Sequence, residues 1–147
     1  MSNRSGVMSH DNTAIVRRLF DDVWNGRRPE LIPDLYAPDW VGQFSDTTWR
    51  GIDGARQLYS TFTTGFPNLR LEVLDLIGAA ATVASRVRYT GNHVGAFGGF
   101  PPSGDPVSLE LISFHRIRDD KIVKEWSAWD TLRFAQQLGA LHRLKES

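Results

Sequence analysis

The period of the apolar residues in this chain changes once, at Phe66-Pro67-Asn68-Leu69. Before that point apolar side chains recur at helical spacing. Ile15, Val16, Leu19, Phe20 and Val23 mark residues 12–24, with Asp11 or Asn12 as the cap and Asn25-Gly26 as the stop. Leu31, Ile32, Leu35 and Tyr36 mark a short helix over 29–36, stopped by Pro38, and a short strand follows over 40–44. Ile52, Ala55, Leu58, Tyr59 and Phe62 mark a third helix over 51–64. Beyond Leu69 the apolar residues alternate instead, and residues 70–76, 82–93, 106–118 and 121–130 read as strands. Turns fall at 78–81 and at Asp119-Asp120, and the Gly- and Pro-rich stretch 94–105 reads as a loop. A last helix over 131–137 ends at Gly139. Helices first and a run of antiparallel strands after them predict an α+β fold. The helices pack on the concave face of a curved antiparallel sheet, and the two layers enclose a pocket.

A chain of 147 residues fits one domain, expected over residues 11–141, with loose tails at 1–10 and 142–147. Its 17 basic and 17 acidic residues cancel, and no Lys or Arg run stands out, so nucleic acid is excluded as a partner. With no cysteine, disulfides, thiol nucleophiles and thiolate metal sites are excluded. The four histidines show no ligand spacing, so no metal is expected. No apolar stretch approaches the roughly 18 residues of a membrane span. The first ten residues are polar and lack an apolar signal core, so a cytoplasmic protein is expected.

The last strand, Lys121-Ile122-Val123-Lys124-Glu125-Trp126-Ser127-Ala128-Trp129-Asp130, ends in a carboxylate. Strict alternation puts Trp126, Ala128 and Asp130 on one face, with Ile122 and Lys124 extending the row. Two readings of Asp130 follow. Held in an apolar cavity, its carboxyl becomes a proton carrier near neutral pH. Alternatively, it caps the helix that begins at Thr131.

Several segments in order resemble the SnoaL-like polyketide cyclases, within the wider nuclear-transport-factor-like α+β cone fold. They are Phe66-Pro67-Asn68-Leu69, the stretch from Gly91-Asn92-His93-Val94-Gly95 to Pro102-Ser103-Gly104, then Asp120-Lys121-Ile122-Val123-Lys124-Glu125-Trp126, Asp130, and Gln136-Gln137-Leu138-Gly139. The resemblance spans about residues 12 to 140. It implies cofactor-free ring closure by intramolecular aldol condensation of an aromatic polyketide ester. The position of Asp130 is then the acid and base, with His115 near it on the neighbouring strand. The fold also hosts hydroxylases, epoxide hydrolases, isomerases and binding proteins without turnover, so these remain alternatives.

Each site residue has a functional and a plain reading. His115 shares a face with Leu109, Leu111 and Ser113, and the Asp119-Asp120 hairpin brings it near Trp126. It is read as hydrogen-bonding substrate and sharing a proton with Asp130, or as a rim histidine satisfied by a neighbour. Ser113 faces the same way and is a substrate contact, not a nucleophile, because no glycine elbow surrounds it. His93 either points into the pocket mouth or fixes the loop after it. Gln43 stands where many relatives carry a histidine, and its amide can donate and accept at a carbonyl. Trp126 is expected as the cavity wall, with Tyr59, Phe62 and Phe66 on the helix side. The expected ligand is a small hydrophobic carbonyl compound. Arg86 and Arg88 lie opposite the apolar row Val83, Ser85, Val87 and Tyr89 and are read as surface. With Glu110, Ile112, Phe114 and Arg116 they make an outer face suited to a homodimer or higher homo-oligomer.

Overall fold

The computed structural model describes residues 12–139. The tails expected at 1–10 and 142–147 lie outside the described residues. Helix α1 is α-helical over 12–18 and continues as a π-helix over Leu19–Asn25. A 3₁₀ turn, Pro29–Leu31, leads into α2, Ile32–Leu35. Strands β1 (Tyr36–Phe44) and β2 (Thr47–Arg50) form a hairpin, and α3 spans Gly51–Gly65. Then come β3 (Arg70–Ala79), β4 (Thr82–Asn92), β5 (Pro106–Arg118), β6 (Lys121–Ala128) and α4 (Thr131–Gln137).

The six strands form one curved, unclosed sheet in the order β2-β1-β6-β5-β4-β3. The expected α+β class with helices against the concave face is what is found. One pair departs from the antiparallel expectation: β1 runs parallel to β6. The chain leaves β2 through α3 and re-enters the sheet at its far edge, so β1 and β6 meet as the products of a long crossover.

Alternation sets the layers. All of β5 alternates between exposed and buried, with Val107, Leu109, Leu111, Ser113, His115 and Ile117 inward. In β4 the inward row is Val83, Ser85, Val87 and Tyr89. Leu19, Phe20, Val23 and Trp24 of α1 and Leu58 and Phe62 of α3 cover these rows. Arg86 and Arg88 lie outside, paired with Asp75, Glu72 and Glu110. Edge strand β3 is partly covered by Asn25, whose side-chain amide bonds both the N–H and the C=O of Leu71 at 2.8 Å, in place of a further strand. No helix among the described residues is long and apolar enough to cross a membrane.

Candidate functional site

A two-residue turn at Asp119 and Asp120, both with positive φ, joins β5 to β6. Next to it Ile117 pairs with Ile122, but Arg116 pairs with Lys124, so Val123 is an extra residue in β6. This bulge resets the alternation. The inward row of β6 becomes Ile122, Glu125 and Ser127.

Trp126 therefore does not line a cavity, as alternation from Asp130 had suggested. It lies on the outer face opposite Phe114, with the Lys124 ammonium 4.9 Å and the Arg116 guanidinium 5.2 Å from its ring. Of the two readings of Asp130, its geometry follows the helix cap. It is exposed, and its Oδ1 accepts the Arg133 N–H at 2.9 Å as the N-cap of α4. A crevice beside the first half of β5, beyond the end of β6, lined by Asp130, Arg133, Ser108, Leu109 and Glu110, is its setting. His115 does not approach it.

The bulge brings a different acid to His115. Glu125 and His115 face each other across the ladder, 3% and 2% exposed, with His115 Nδ1 on Glu125 Oε2. Trp40 Nε1 donates to the other carboxylate oxygen at 3.1 Å. The Tyr36 hydroxyl lies close enough to feel the same carboxylate. Gly42, the β1 partner of Glu125, lets the Trp40 ring lie across β1, since a Cβ there would sit 2.4 Å from that ring. On the other side of the imidazole, Ser85 Oγ is 2.8 Å from Nε2. With Glu125 ionised, Nδ1 donates to it and Nε2 accepts from Ser85, which sets the tautomer. Phe20 closes the edge of the ring at 5.8 Å between centroids.

Burial, then the charge of Glu125, push the Tyr36 hydroxyl well above its ordinary range. Burial and the same charge push Tyr89 up. One row along the cone, Ser85, Ser113 and Ser127 lie side by side across three strands, and Ser113 and Ser127 share a 2.6 Å hydrogen bond. Inward Ser113 thus keeps the face predicted for it.

The remaining expected contacts divide. Phe62 and Phe66 line an apolar cavity with Tyr89, Val107, Leu109 and Phe134. Its free volume is about 10 Å³, on the order of one water-sized sphere. Tyr59 is not in that wall; it touches Trp24 and lines a surface groove with Arg56 and Thr63. Gln43 spends its amide on the β1–β2 hairpin, accepting from Thr48 at 2.6 Å and donating to the Ser45 carbonyl at 3.0 Å. His93 is fully buried against Phe66, 5.4 Å between ring centroids, and neither ring nitrogen has a hydrogen-bond partner. An unmet buried polar group costs about 1–3 kcal/mol.

Glu125, Ser85, Trp40 and Tyr36 were not singled out by sequence reasoning. A signal was available. Counted from the hairpin without a bulge, the ladder would seat Lys124 against His115 in the core and turn Glu125 outward. An unpaired lysine there is the costlier arrangement. No group of three or more His, Asp or Glu that could hold a metal occurs among the described residues.

The family model for SnoaL-like polyketide cyclases matches residues 14–138. Among solved structures, a proposed SnoaL-like polyketide cyclase from Jannaschia sp. CCS1 is similar at 25% identity and TM-score 0.84, covering 90% of this chain and 94% of its own. IdmH, a proposed polyketide cyclase from Streptomyces antibioticus, is similar at 27% identity and TM-score 0.73, covering 87% and 98%. AclR, a proposed hydroxylase from Streptomyces galilaeus, is similar at 25% identity and TM-score 0.78, covering 89% and 97%. No curated protein matches the chain. A match over nearly the whole described domain, with a cone of the same shape, leads to one conclusion: this chain belongs to the SnoaL-like polyketide cyclase family.

Proposed function

We propose that this protein closes a ring in a small apolar carbonyl compound by intramolecular aldol addition, with His115 and Glu125 handling the proton. The observation that carries the reading is the buried His115–Glu125 pair with Ser85 on the second ring nitrogen. A core builds such a pair at an energetic disadvantage relative to apolar side chains, so a role beyond packing is the economical account.

The substrate enters at the apolar cavity and extends along the concave face past Tyr89 to the serine row. As Ser85 Oγ takes the proton from the carbon next to one carbonyl, it passes its own proton to His115 Nε2. The imidazolium is held by Glu125, which stays ionised. The enolate carbon bonds to the second carbonyl carbon, and the resulting alkoxide recovers the proton by the same path. No cofactor enters this cycle. Held folded, the substrate reacts as a single molecule, an advantage of up to about 7–11 kcal/mol for well-oriented groups. The outer sheet face, with Ile112 and Phe114 exposed beside Trp126, is proposed to pair two copies.

The test is turnover of aromatic polyketide methyl esters by wild type, Glu125→Gln and His115→Gln. Losses of roughly 10²–10⁴ in kcat in folded variants are expected. Turnover at the wild-type rate by a folded His115→Gln protein would overturn the reading. A second reading, binding without turnover, draws on the cavity wall itself, whose lining carries no carboxylate and no imidazole. Saturable binding of these esters with no product would favour it.

A further inference from the structure

The loop over 94–105 is built as a closed flap. At its neck the His93 N–H donates to the Asp105 carbonyl at 3.0 Å and the Gly104 N–H to the His93 carbonyl at 2.7 Å. Near its start, the N–H groups of Val94 and Gly95 both donate to the Gly65 carbonyl at the end of α3, at 3.0 Å each. Only glycine fits there: a Cβ on Gly95 would lie 2.0 Å from the Thr64 carbonyl oxygen. At the tip Phe97 and Phe100 bridge around Gly98 and Gly99, both at positive φ. Phe97 is thereby driven inward, where its ring packs on Phe62, Phe66 and Phe134 at 5.1, 5.2 and 5.5 Å.

Those same three residues line the apolar cavity, so Phe97 packs on the back of its wall from the loop side. With about 10 Å³ free, the cavity admits no ring in this form. Beneath the flap, stacked on the shared Phe66, sits His93 with both ring nitrogens unpartnered. A neutral imidazole offers one donor and one acceptor. Behind the wall residue Phe66, an unmet pair of this kind is the feature that would fix the orientation of a ligand oxygen once it is reached.

We infer that withdrawal of Phe97 with the flap joins the cavity to His93, and that the imidazole then hydrogen-bonds a carbonyl oxygen of an aromatic ligand. This deepens the proposed function by naming His93 as the residue that orients the substrate's carbonyl, and it rests on that reading only for the location of the substrate.

The experiment compares two probes of one shape, 1-acetylnaphthalene and 1-ethylnaphthalene, by equilibrium binding to the full chain. Wild type is expected to prefer the ketone by about tenfold, the size of one hydrogen bond. His93→Phe is expected to bring that ratio close to one. Nitrogen-15 NMR of wild type should show the His93 ring signals shifting on saturation with the ketone and not with the hydrocarbon. Phe97→Ala should speed association of both probes. Equal preference in wild type, an unchanged ratio in His93→Phe, fixed His93 signals, unaltered association in Phe97→Ala, or no binding of either probe would each overturn the inference. The NMR arm decides if His93→Phe does not fold. Turnover enters none of these measurements, so failure of the ring-closure reading and failure of this one are separable.

Discussion

His115 and Glu125 meet across the β5–β6 ladder with the imidazole on the carboxylate, flanked by Trp40 on the carboxylate and Ser85 on the far ring nitrogen. Glu125→Ala leaves the Trp40 N–H and the imidazole without their acceptor. Removing one member of a buried pair costs about 3–5 kcal/mol. Glu125→Gln keeps an oxygen for Trp40 and should lose clearly less. Urea unfolding of both variants checks the order. A loss below about 1 kcal/mol in Glu125→Ala would show that the pair contributes little to the fold.

Alkaline stability should depend on Tyr36 and Tyr89. Burial and the charge of Glu125 raise both hydroxyls in the folded chain above the ordinary value of 10.0. A raised folded pKa gives stability that is complete below pH 10 and is lost as pH climbs above it. Tyr36→Phe and Tyr89→Phe should each flatten the decline of Tm above pH 10. Thermal melts across the alkaline range, with phenolate absorbance, check this; parallel curves for wild type and both variants would contradict it.

Asp130 holds the first turn of α4. Asp130→Ala should cost about 1 kcal/mol, the usual worth of an N-cap, and Asp130→Asn much less. Both should keep turnover of any ester the wild type cyclises. A folded Asp130→Asn protein with turnover reduced a hundredfold would instead return the acid–base role to this carboxylate.

The outer face should decide assembly. Ile112 and Phe114 are 57% and 51% exposed, and Phe114 pairs with Trp126 across the ladder. Apolar side chains ringed by Arg86, Glu110 and Arg116 suit a patch that meets its own copy. Light scattering at micromolar concentration should give twice the chain mass. Phe114→Glu should give the monomer mass with the fold intact by circular dichroism. A wild-type monomer would remove the expectation.

Much of this architecture can be read from residue order. The change of period at Phe66 to Leu69 separates helices from strands because 3.6-residue and two-residue spacings cannot serve the same backbone. The bounds of β5 and α4 follow from clean alternation, the Asp119-Asp120 turn and Gly139, and Phe62, Phe66 and Ser113 keep their expected inward faces. Strand β2 was not legible, since Thr47–Arg50 buries little and carries no period of its own. The site residues on β6 were decided by tertiary structure. Which face a strand residue takes depends on one residue of register, and the extra Val123 exchanges Trp126 for Glu125. Alternation within β6 carries no record of that bulge; only the ladder counted back from the hairpin, which sets Lys124 against His115, points to it. Trp40 is brought to Glu125 only by the parallel β1–β6 pairing, and Ser85 to His115 only by the β4–β5 register.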